Sequence, residues 1–124
     1  MAHTRCKSPV GLAAIVCCAG VSLLFAQTSE LTFDIRIEHG VVPPNMRLIR
    51  VKQGDAVKLR WSSDKPITLH LHGYDIERKV EPGMVAEMSF AARATGRFPV
   101  EEHKGAGGHS HGDAPLVRIE VYPR

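Results

Sequence analysis

Cysteine is missing from residues 19–124. The chain's three, Cys6, Cys17 and Cys18, all fall within the first 18 of its 124 residues. Over the rest this excludes disulfides, cysteine zinc sites, thiol catalysis and iron–sulfur clusters. An excess of one charge is missing too. Lys and Arg number 16 against 13 Asp and Glu, a formal net charge of +3, and no basic block or stripe stands out. That excludes the electrostatic footprint of a nucleic-acid binder. Beyond the first 26 residues no stretch carries a 3.6-residue apolar stripe, and Ala91 to Ala94 would make one helical turn at most. There is no internal repeat, no glycine-rich phosphate loop, no serine in a recognisable nucleophile setting and no evident acid/base carboxylate pair. The chain is therefore not expected to be an enzyme. What is there is 44% hydrophobic and 23% charged, the balance of a folded domain, and 124 residues suit one such domain. Of the seven histidines most come late, so any chemistry falls to imidazole.

The first 26 residues read as an address. Arg5 and Lys7 form a positive start, Val10 to Ala26 is an uncharged and mostly apolar run of 17, and Gln27 to Glu30 turn polar. This is the layout of a secretory signal peptide cut after Ala26, although Leu24 is large for the minus-three position. The competing reading is an uncleaved membrane anchor, since the run is near the lower limit for spanning. Both place the remainder, 27–124, outside the cytoplasm, periplasmic or extracellular. Contact with a membrane is expected only if the leader is retained. The remainder keeps all 13 acidic and 14 of the basic residues and has no cysteine, so its core alone must hold it together.

That remainder reads as short strands. Leu31, Phe33, Ile35 and Ile37 alternate with polar residues, the period of a half-buried strand. Similar runs cover Met46 to Val51, Ala56 to Trp61, Ile67 to His72, Met84 to Phe90, Gly96 to Val100 and Leu116 to Tyr122. The apolar side includes Val57, Leu59 and Trp61, then Ile67, Leu69 and Leu71, then Ala86, Met88 and Phe90, then Val117, Ile119 and Val121. Met84 and Met88 bracket a core strand and are expected to be packing residues, not a soft Cu(I) site. Turn residues separate the runs at His39-Gly40, Gly54-Asp55, Gly73 and Pro82-Gly83. About seven or eight short strands indicate an all-β, Greek-key antiparallel sandwich.

Six phrases in order carry a family resemblance: Val51 to Asp55 (VKQGD), Ser62 to Pro66 (SSDKP), Leu69 to Gly73 (LHLHG), Val80 to Gly83 (VEPG), Thr95 to Phe98 (TGRF) and His103 to Gly107 (HKGAG). Together they resemble the cupredoxins over residues 31–122. The resemblance implies a β-sandwich whose loop before the last strand holds copper. Two departures matter. The slot for the thiolate of a blue copper site falls on Glu102 or Val100, and that for its first histidine on Ile67. Such a site needs cysteine and histidines, so the resemblance does not extend to blue copper.

LHLHG is also similar to the His-x-His-Gly phrase of multicopper oxidases, whose two histidines point away from their own sandwich toward a shared copper cluster. Parity supports that direction independently: if Leu69 and Leu71 face the core, His70 and His72 face out. In the same enzymes the cysteine is flanked as His-Cys-His. Laid on Glu101, Glu102 and His103, this keeps the second histidine and makes the first Glu101. His70, His72, His103 and Glu101 are thus candidate ligands, joined by His109 and His111 of the glycine-rich loop. The expected cargo is a metal ion, copper as Cu(II) or Cu(I), with zinc as the other candidate. Two functions stay open. One is an exported metal-binding protein that holds or passes copper through a non-blue histidine site. The other is a metal-free cupredoxin-like interaction module, its histidines merely solvent-facing. A partner protein or a second copy of the chain could complete the site.

Overall fold

The computed structural model describes Gly11, residues 29–105 and residues 114–124. The leader (apart from Gly11), His109 and His111 lie outside the described residues. Among the described residues eight strands run in order: β1 (Glu30–Ile37), β2 (Leu48–Lys52), β3 (Ala56–Ser63), β4 (Ile67–Leu71), β5 (Ile76–Val80), β6 (Ala86–Ala91), β7 (Gly96–Glu102) and β8 (Val117–Tyr122), with one 3-10 turn at Pro44–Met46. No described helix is long and apolar enough to cross a membrane.

The strands form two sheets, ordered β1-β3-β6 and β2-β8-β7-β4-β5. Their alternation sets the layers. Val57, Leu59 and Trp61 from β3 are buried, as are Ile67, Leu69 and Leu71 from β4 and Val117, Ile119 and Val121 from β8. These meet Ile35, Ile37, Met88 and Val100 in one core. Fully burying one such aliphatic side chain contributes roughly 1.5–3 kcal/mol, so every inward position of β4 helps hold the strand in place. The expected all-β sandwich is therefore observed.

Three details differ from expectation. Pairing is not wholly antiparallel: β1 runs parallel to β3, and β2 parallel to β8. The chain leaves the first sheet after β1, reverses to make β2 in the second, and reverses again into β3. Two reversals bring β3 back beside β1 in the same direction. Alternation fixes which face a residue uses, but not which strand lies alongside. Next, β5 carries Glu77, Arg78 and Lys79 in succession, which hides its period; it is an edge strand, where charges discourage further pairing. Last, Met84 is 66% exposed and not a core residue, whereas Met88 is fully buried as expected. Met84 lies before β6 begins, just after the Pro82-Gly83 turn, so alternation does not yet apply to it.

Candidate metal centre

Strand β4 lies between β5 and β7, and this places its outward face at the middle of a charged row. His70 pairs in register with Glu77 of β5 on one side and Glu101 of β7 on the other. His72 falls just past the end of β4, where its backbone N–H still donates to the Pro99 carbonyl at 3.0 Å. His103, just past β7, donates its N–H to the Thr68 carbonyl at 2.8 Å. All three histidines thus hang from one ladder.

The turn between β4 and β5 completes the frame. Gly73 has φ +86°, and a Cβ there would stand 2.5 Å from Phe98 Cδ1. Only glycine meets both demands at no cost. Tyr74 follows and packs on Phe90 and Phe98, with ring centres 4.6 and 4.9 Å away. Asp75 adopts φ +53°, a left-handed conformation that aspartate tolerates better than most residues.

The imidazoles are neighbours. The His70 ring centre is 4.3 Å from that of His72 and 6.2 Å from that of His103. Two imidazoles sharing one metal at bonds of about 2 Å have centres roughly 4–6.5 Å apart. Each ring also meets a carboxylate. His70 Nε2 is 3.2 Å from Asp75 Oδ1, His72 Nε2 is 3.1 Å from Glu101 Oε2, and His103 Nδ1 is 3.7 Å from Glu77 Oε2. Among the described residues no group of three or more His, Cys, Asp or Glu is already set to hold a metal. The backbone brings the rings together, while their present rotamers aim nitrogens at carboxylates. The His72 and His103 side chains are about half exposed, and that of His70, between them, is 23% exposed. The donor set of imidazole and carboxylate suits Cu(II) or Zn.

Of the sequence-derived candidates, His70, His72, His103 and Glu101 come together; His109 and His111 fall outside the described residues. Asp75 and Glu77 were missed. Glu77 was within reach of parity had β5 been recognised, because it stands opposite His70. Nothing in the sequence marks Asp75 beyond its place in a turn. The expected blue-copper slots are filled otherwise. Ile67 and Val100 are buried apolar residues, and no cysteine occurs in residues 19–124. Glu102 ends β7 and lines a recess of about 290 Å³ with His39, Lys65, Glu101, Lys104 and Leu116. His39 is a turn residue at φ +52°, its N–H donating to Asp64 Oδ2 at 2.8 Å.

No family model and no curated protein sequence matches the chain. Solved structures do. The periplasmic domain of subunit II of cytochrome oxidase from Bradyrhizobium japonicum aligns with a TM-score of 0.58 at 16% identity, over 75% of this chain and 84% of that one. The fold is cupredoxin-like. A copper binding protein in the apo form aligns at 0.53 and 16% identity, over 73% of this chain and 87% of its own. A multi-copper oxidase from Pseudomonas thermotolerans aligns at 0.59 and 19% identity, over 78% of this chain but 30% of its own. The cupredoxin-like chain thus spans under a third of that oxidase. At these identities the shared property is the fold.

Proposed function

We propose that this chain is an exported metal-binding protein that holds or passes copper through His70, His72 and His103, with Glu101 beside them. The supporting observation is the single outward patch of three imidazoles, with centres 4.3 and 6.2 Å apart around His70. Neutral imidazole supplies a nitrogen lone pair, and the absence of thiolate from residues 19–124 deprives the site of the intense blue of a cysteine-ligated copper. The role is binding, not catalysis. Export is supported by the leader-like residues 1–26 and by the periplasmic domain among the structural neighbours. One neighbour is a mixed-disulfide intermediate between a thioredoxin-like protein and subunit II of cytochrome c oxidase. Residues 19–124 offer no thiol for such a disulfide.

Calorimetric titration of the purified protein with Cu(II) and with Zn(II) tests this reading. The expected result is one ion per chain, no intense blue absorption, and loss of binding when His70 and His72 are both changed to Ala. Unchanged affinity in that double variant overturns it. The second reading, a metal-free interaction module, is favoured by the absence of a preset ligand group among the described residues. It predicts no rise in melting temperature with any metal, whereas a binder gains about RT ln(1+[L]/Kd).

A further inference from the structure

Three carboxylates from three separate places surround the imidazoles, one to each ring. Asp75 comes from the β4–β5 turn, Glu77 from β5 and Glu101 from β7. Glu77 and Glu101 also flank His70 in register on its two sides. We propose that Asp75, Glu77 and Glu101 are positioning residues of this site, which orient its three imidazoles and make it selective for divalent ions over Cu(I).

This rests on the metal-binding reading and extends it to the identity of the ion. Two physical effects act together. Asp75 hydrogen-bonds the His70 ring, and a carboxylate that accepts a proton from one ring nitrogen leaves the lone pair of the other for a metal and raises its basicity; Glu101 and Glu77 stand at ion-pair distance from the His72 and His103 rings. Three negative charges at the rim also attract a doubly charged ion more strongly than a singly charged one. Soft donors that would favour Cu(I) are scarce. Residues 19–124 have no cysteine; Met88 is fully buried in the core, Met46 lines a separate recess with Trp61 and Val85, and the exposed Met84 stands alone as a thioether after the Pro82-Gly83 turn. Asp75 is the cleanest member of the set. Its side chain is 99% exposed, so its approach to His70 is not forced by packing around the carboxylate.

Zn(II) and Cu(I) have the same closed d shell, so comparing them isolates charge and hardness. The test is competition titration of the full chain with each ion, under anaerobic conditions for Cu(I). Four proteins are compared: the unaltered protein, D75N alone, the triple variant D75N/E77Q/E101Q, and H70A/H72A. Asn tolerates the left-handed backbone at position 75, so D75N keeps the turn. The triple variant is expected to bind Zn(II) about 10- to 100-fold more weakly, the usual cost of losing partners behind metal-binding histidines. Its Cu(I) affinity is expected to change much less, so the Zn(II):Cu(I) ratio falls. D75N alone should shift the ratio in the same direction by a smaller factor, and H70A/H72A should lose both ions. A triple variant that binds Zn(II) like the unaltered protein, or loses both ions equally, overturns the inference while leaving the metal-binding reading intact. If the unaltered protein binds neither ion, both fall.

Discussion

Glu101 Oε2 lies 3.1 Å from His72 Nε2, while in the strand register Glu101 stands opposite His70. The carboxylate thus reaches past its register partner to the second histidine of the LHLHG phrase. The Glu101 and His72 side chains are each nearly half exposed, and water screens such a pair. In metal-free protein, a double-mutant cycle between His72→Ala and Glu101→Gln is expected to give a coupling of about 0.2–1 kcal/mol. Denaturant unfolding of the four proteins checks this. A coupling above about 2 kcal/mol would make the pair a structural brace, beyond what exposed pairs deliver.

Gly73 links the candidate site to the core. Its φ of +86° and the 2.5 Å approach of a Cβ to Phe98 act against any other residue. Gly73→Ala should therefore destabilise the domain by about 1–3 kcal/mol, through backbone strain and displacement of Phe98. Thermal unfolding reads the loss. Moving Phe98 also disturbs Tyr74, which leads directly into Asp75, so the shift should be accompanied by altered NMR signals from His70. A variant as stable as the parent would show that the turn adapts without strain.

Acid sensitivity is expected at the other end of the same sheet. The Tyr122 hydroxyl donates to Glu120 Oε2 at 2.7 Å, and the guanidinium groups of Arg50 and Arg97 each approach that carboxylate at 3.4 Å. The Tyr122 hydrogen bond first, then Arg50 and Arg97, hold the Glu120 carboxyl below the ordinary glutamate value of 4.5 against the opposing effect of burial. The folded state thus favours the ionised form. Its contribution is fully present above the unfolded value and is lost as pH falls through the lowered folded value. Glu120→Gln should be less stable than the parent at pH 7, and the gap should close as the pH drops below about 4. Melting temperatures of both proteins between pH 7 and pH 2.5 decide it; a gap that stays constant would show that Glu120 does not titrate differently on folding.

Much of the fold was legible because the strand period is a local property. The inward positions of β3, β4 and β8 followed from alternation, and the outward direction of His70 followed from Leu69 and Leu71. The edge strand β5 was not legible, because three successive charges mask its period where one side of the strand pairs with no other described strand. The parallel pairings of β1 with β3 and β2 with β8 were not legible either, because the choice of neighbour depends on how the chain passes between sheets.

For the candidate site the division is sharper. Sequence alone determined that residues 19–124 carry no thiolate, and that His70 and His72 share a face, since both follow from residue identity and a two-residue repeat. It also nominated His103 and Glu101, through the resemblance of their segment to a copper-binding phrase. Tertiary structure decided that β7 lies beside β4 and β5 on its far side. That arrangement placed Glu101 and Glu77 around His70, and the left-handed turn after Gly73 brought Asp75 back to it. Strand order and turn handedness arise from long-range packing, so local pattern nominated Glu101 but did not bring Asp75 and Glu77 to the histidines.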